Sequence, residues 1–418
     1  MKRLLLFAIL FTAIAGTQDV YGQFWKKKKP KKKPAVVKPK ETVTAPPKKK
    51  REIVYPPTVF KNRYRIDILL PLYLNELVKE DKPVYKDRLP EKAQAGINFY
   101  EGVKLAVDTL HKMGYEIDLH IHDVTQPEGT PEALVKSKAL EESDLLIGAV
   151  QSFHIKPLAD FAKKKQINFI SALSPADADI IGNPYFTILQ PTLITHVKKQ
   201  RASVFKKYPH EEIFLFYRTD PSVDSTAYKY AYEDQEKRFR RVQVNGMPTQ
   251  MLLQKIFDST RKNIIMMPVL DYAYAQNILE AFYQWFPTYR FEVYGAPSWK
   301  SMSKLKQTDA YPNVTVYFSS PFHFETANHF TNHLSTWYKN ECGGKITDMV
   351  FRGYETTMWF AYLLRRYGTV FNERMEDNAL MPSQYEVQPQ WTEKNELMYN
   401  ENVHYFIYRY QSGSYMVE

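Results

Sequence analysis

A single cysteine, Cys342, is all the thiol chemistry in this 418-residue chain, so no disulfide can close within it. Long apolar runs are missing too. After the first 22 residues nothing approaches the ~18 continuous apolar residues that a membrane-spanning helix needs. Glycine is scarce, at 15 residues, and none belongs to a Gly-x-x-x-x-Gly-Lys-Ser/Thr phosphate loop or a Gly-x-Ser-x-Gly nucleophile elbow. His-Glu-x-x-His does not occur, and no spacing of acidic residues singles out a catalytic pair. The usual sequence grounds for a phosphotransferase, a serine hydrolase or a zinc peptidase are therefore absent. The chain reads as a non-enzyme without a cofactor.

A surplus of basic charge is also missing from most of the chain, although the formal net charge is +11. Residues 24–51 hold thirteen Lys/Arg, and Lys2 and Arg3 add two, so 42 of the 57 basic residues lie elsewhere. Setting aside Asp19 and Glu41 leaves 44 of the 46 acidic residues, and the body from Glu52 onward is about −2. The basicity belongs to a tail, which argues against a nucleic-acid-binding fold.

What is present begins with "MKRLLLFAILFTAIAG", a charged start followed by an apolar run too short to span a membrane. With "VYG" before Gln23, residues 1–22 are expected to be a cleaved export signal, a cut after Ala15 being the alternative. No cysteine lies near the cut, which excludes an acylated lipoprotein, so a soluble periplasmic protein is expected. Residues 23–63 follow as a disordered Lys/Pro-rich tether, kept extended by like-charge repulsion and proline. It serves as a spacer, or residues 26–51 bind an anionic envelope surface. Only Phe24-Trp25 offers an apolar anchor.

From Tyr64 the pattern alternates. "YRIDILLPL", "EIDLHIHDV", "DLLIGAV" and "INFISAL" read as strands. "NFYEGVKLAVDTLHKMG", "TPEALVKSKALEES" and "HIKPLADFAKKK" between them read as helices. The same alternation resumes at "EEIFLFYRTD" and runs to "NVTVYFSSPF". Two long helices and a C-terminal hairpin around Gln411-Ser412-Gly413 close the chain. The fold class is α/β, two doubly wound lobes with parallel sheets. In such sheets ligands bind beyond the carboxyl ends of the strands. Two polar turns lie there: Gln151-Ser152 after Leu145–Gly148, and Ser171-Ala172-Leu173-Ser174-Pro175 after the next strand.

"RIDILLPL", "FYEGVKLAVDTL" with "DLHIHD", and "LIGAVQSFHIKPLADFAKKKQINFISALSP" resemble the type I periplasmic binding proteins, which include the branched-chain amino-acid receptors of ABC importers. "GYETTMWFAYLL" resembles the family's late helix, and the similarity covers about Tyr64 to Gly368. The resemblance implies a clamshell in which residues 64–186 and 322–368 form lobe one. Residues 187–321 and 369–418 would form lobe two, with a small polar ligand such as an amino acid in the cleft and an ABC permease as partner. It implies that Gln151, Ser152, Ser171, Ala172 and Ser174 hold the head group. Unpaired N–H groups at a helix start suit a carboxylate. Ser152 and Ser174 serve equally well as helix N-caps.

In lobe two the resemblance points to the ends of "IFLFY" and "IIMMPVL", which carry Tyr217, Asp220, Asp271 and Tyr272. Asp271 or Glu355 would meet a ligand ammonium, although Asp271 is also placed to cap "YAYAQNILEAF". Trp299 reads as a core residue or a cleft wall. The loop "RTDPSVDSTAY" lacks the glycine that transport members carry there, which leaves room for a second role: docking to a cell-envelope partner without transport. His329 with His333, and His120 with His122, have spacings open to a metal but read more simply as solvated helix and sheet-edge positions. Cys342 is expected in a loop.

Overall fold

The apolar periodicity of "YRIDILL" is resolved by two layers of helix. The computed structural model describes residues 53–418 except 81, 86–88, 234–236, 308, 324–328 and 379–383. The expected export signal and residues 23–52 of the expected tether lie outside the described residues. In β1 (Arg63–Leu70), Tyr64, Ile66, Ile68 and Leu70 face one helical layer, while Leu69 packs into a separate cluster on the other face. A strand buried on both faces is what a parallel sheet with helices on each side requires.

A small ribbon follows, β2 (Val78–Lys79) with β3 (Lys82–Pro83). Then come β4 (Glu116–Asp123), β5 (Leu145–Gly148), β6 (Asn168–Ser171) and β7 (Phe186–Ile188). The second series is β8 (Ile213–Tyr217), β9 (Phe239–Gln243), β10 (Lys262–Met267), β11 (Arg290–Gly295) and β12 (Val314–Ser320). The last four strands are β13 (Val387–Trp391), β14 (Leu397–Asn402), β15 (Phe406–Gln411) and β16 (Ser414–Val417).

The first sheet runs β4-β1-β5-β6-β7-β14-β13 and the second β9-β8-β10-β11-β12-β15-β16. Within each, the five strands of the first pass are parallel. Both sheets reverse their strand order beside the first strand, between β1 and β5 in one and between β8 and β10 in the other. Such a reversal leaves a crevice at the carboxyl edge, because the flanking connections leave to opposite faces.

The C-terminal segment departs from expectation. The resemblance places residues 369–418 in the second lobe, but β13 and β14 complete the first sheet, and only β15 and β16 join the second. The expected boundary at 186/187 falls inside β7. The helix expected over "TPEALVKSKALEES" ends at Lys136, and Lys138 takes a left-handed φ of 63°. Cys342 is the last residue of the helix His329–Cys342 rather than a loop residue.

The chain therefore passes between the sheets at residues 189–192, again after Ser320, and at residues 403–405. The last of these joins the end of β14 to the start of β15, where Phe406 pairs with Ser320 at the end of β12. The Thr192 amide bonds the Glu401 carboxylate at 2.7 Å, and His196 Nδ1 lies 2.9 Å from Ser319 Oγ. These short links tie the carboxyl ends of β7 and β14 to that of β12. The carboxyl edges of the two sheets consequently face one another across the hinge. Among the described residues no helix is long and apolar enough to cross a membrane.

Candidate ligand-binding site

Each crevice is braced by its own residues. In the first sheet the turn after β1 places Tyr73 at φ 58°, and Asp123 at the end of β4 accepts the Leu72 and Leu74 amides, both at 2.9 Å. Burial works against ionisation of Asp123, yet bonds from Leu74 and Thr125 hold its carboxyl below the usual carboxylate range. Across the crevice, Gln151 and Ser152 are exposed after β5. Neither the single turn Ser152–His154 nor the helix Ile155–Lys165 is capped by a side chain, so a capping role for Ser152 does not hold.

The second expected turn is built differently. The Ala172 amide bonds Gly148 O at 2.9 Å, extending the sheet by one step. Buried Ser171 donates to Ser174 O at 3.2 Å, and Ser174 Oγ accepts the Ala176 amide at 3.3 Å. Both hydroxyls are thus engaged inside the turn. They fix its shape beside Gln151-Ser152, one strand away from the crevice.

In the second sheet Asp271 caps the helix Tyr272–Trp285 through the Tyr274 amide at 3.0 Å. The same carboxylate reaches Arg218 Nη1 at 3.4 Å. Arg218 follows β8 and also pairs with buried Asp224 at 3.3 Å, with its guanidinium 4.2 Å from the centre of the Tyr274 ring. Burial raises the Asp224 carboxyl, against the opposing pull of the Leu270 amide and Arg218. The reversal point of the second sheet is therefore spanned by an Asp-Arg-Asp cluster. The sequence reading missed Arg218, although an arginine directly after the apolar run "IFLFY" was a visible signal. Tyr217 is half-buried and stacks on Tyr228 at 4.0 Å, and Tyr272 is exposed.

Glu355 is not at either crevice surface. It is buried in the helix Asp348–Tyr367 and accepts from the Tyr385 hydroxyl at 3.2 Å. Trp299 is a core residue: it is fully buried, donates to Val269 O at 2.8 Å, and lies where a Cβ on Gly295 would fall. Among the described residues no group of three or more His, Cys, Asp or Glu is arranged to hold a metal. His122 instead contacts Asp67 at 2.7 Å and His120 contacts Asp118 at 3.1 Å.

No family profile matches this sequence, and no curated protein matches it. Solved structures do. A Rhodospirillum rubrum protein assigned to branched-chain amino acid ABC transport superposes with a TM-score of 0.61 at 13% identity, over 85% of this chain and 100% of that one. The fold is that of the type I periplasmic binding proteins. A branched-chain amino acid ABC transporter periplasmic ligand-binding protein from Burkholderia xenovorans has a TM-score of 0.55 at 13% identity, covering 85% of this chain and 94% of its own. Full-length LpoA from Haemophilus influenzae has 0.54 at 13%, over 86% of this chain and 60% of that protein. The two crevices described above are the carboxyl-edge features of this periplasmic-binding-protein fold in the present chain.

Proposed function

We propose that this chain is an exported, non-enzymatic binding protein that holds a small molecule bearing an amine and a carboxylate between its facing sheet edges. The observation that carries the reading is the pairing of an open donor turn, Gln151-Ser152, with an acidic group, Asp271, each at the reversal point of its own sheet. The carboxylate would meet the amides and hydroxyl of that turn, and the ammonium would share Asp271 with Arg218. Tyr217 and Tyr272 would flank it. An ABC permease is the natural recipient of such a ligand, and the relatives in fold that serve amino-acid transporters support that partner.

Thermal denaturation of the mature protein tests this. An amino acid or a derivative of one at millimolar concentration raises Tm by mass action, and Asp271→Asn, which still caps the helix, removes the rise. An unchanged Tm across a broad panel defeats it. A second reading is favoured by the internal engagement of Ser171, Ser174 and Asp271: docking to an envelope partner without transport, with residues 26–51 attached to an anionic surface. Deleting residues 26–51 would then release the protein from the envelope fraction.

A further inference from the structure

Large apolar side chains are exposed here in a pattern. Among the described residues, ten of eighteen lie in the segments that follow the carboxyl ends of β1, β5, β8, β9 and β10. Exposed apolar side chains that recur in the connections on one edge of a fold are candidates for contact with something else. On lobe one the group includes Leu74 and Phe153, the latter 65% exposed and adjacent to Ser152. On lobe two it includes Val223, Met247, Met251 and Tyr272, with Met251 66% exposed.

These residues are displayed on a braced frame. Thr219 donates its amide to Asn245 Oδ1 at 2.8 Å, linking the loop after β8 to the loop after β9. The Tyr274 hydroxyl bonds Gly246 O at 3.0 Å, linking that loop to the helix after β10. Arg218 and Asp271 close the triangle. On lobe one, Asp123 fixes the Leu74 amide. The apolar groups therefore stand on rims whose backbones are already hydrogen-bonded.

We infer that the ligand of this cleft is a short apolar peptide rather than a single amino acid. The inference rests on the amine-and-carboxylate reading above and names the ligand within it. One amino acid has one side chain, whereas apolar groups here rise from five strand ends on both lobes. Methionine, unbranched and polarizable, adapts to side chains of varied shape, which suits a run of different residues. The free ends of a peptide supply the ammonium for Asp271 and the carboxylate for the Gln151-Ser152 turn. A fatty acid would supply only the second, and a segment inside a folded partner neither.

Calorimetric titration of the mature protein with leucine, trileucine and decanoate decides it. Trileucine is expected to bind at least tenfold more tightly than leucine, and decanoate not to bind. Phe153→Lys and Met251→Lys, both at exposed positions, should each weaken trileucine about tenfold while leaving the Tm of the unliganded protein unchanged. Leucine binding as tightly as trileucine, or variants binding trileucine like the wild type, overturns the peptide and leaves the binding-protein reading standing. Binding of decanoate in place of trileucine assigns the rims to acyl chains and also overturns it. Absence of binding by all three overturns the peptide and counts against the underlying reading as well.

Discussion

Arg218 holds three groups at once: Asp224, Asp271 and the face of Tyr274. Asp224 is fully buried and also accepts the Leu270 amide at 2.8 Å. Removing the guanidinium leaves a buried carboxylate without a cation, which is far more costly than losing an exposed pair. Arg218→Ala is expected to destabilise the fold by about 3 kcal/mol in urea unfolding. Arg218→Lys should recover part of the loss, since it keeps the charge but not the planar contact with Tyr274. At this scale the sequence was partly legible. Asp271 was recognisable as a cap because it precedes an apolar helical repeat. Arg218 offered only its place after an apolar run: a loop arginine has no periodicity to betray its partners, and Asp271 lies 53 residues away in the chain. Ser171 and Ser174 were visible as polar residues at a strand end. Their bonds to each other and to Ala176 depend on the path of the turn, which composition does not encode.

Among the elements, the helices Glu91–Lys112 and Asp348–Tyr367 pack closely against each other, and scarce glycine is what permits it. A Cβ on Gly102 would lie 2.0 Å from Val350 O, and one on Gly353 would lie 2.1 Å from Phe99 O. Both obstacles are backbone, so the helices must part to relieve them. Gly353→Ala is expected to cost about 2 kcal/mol. Gly246→Ala, with no atom within 4 Å of the new Cβ, should leave the denaturation midpoint nearly unchanged. The parallel strands were easy to read because burial on both faces makes them continuously apolar. β13 and β14 escaped for physical reasons. β13 is an edge strand containing exposed Pro389 between Gln388 and Gln390, and β14 buries Asn400, Glu401 and Asn402 where a strand reader expects apolar residues.

For the molecule as a whole, the hinge is a buried polar joint. Asn402 bonds Leu189 O at 3.1 Å, beside the Thr192–Glu401 contact. Burial raises the Glu401 carboxyl and pushes the His196 imidazole down to about 4. A histidine depressed in the folded state is protonated first in the unfolded chain. Its contribution is therefore complete above its ordinary value of 6.5 and is lost as pH falls toward about 4. That window corresponds to roughly 3 kcal/mol. His196→Gln, which can still reach Ser319, should flatten the dependence of stability on pH between those values, as read from urea midpoints at several pH values. Glu401 titrates with the opposite sign, so the difference between wild type and variant, rather than either curve alone, isolates the histidine.

The triple passage between lobes also orders events in time. Asn400 on β14 pairs with Thr187 on β7, more than two hundred residues earlier, and Tyr399 packs edge-on against Phe186. The first sheet cannot be finished until residues near 402 exist, so the N-terminal lobe is denied the usual option of folding first during synthesis. Such remote pairing slows folding. It keeps the emerging chain open until nearly all of it has been made, the state in which a polypeptide can still be threaded through a narrow channel.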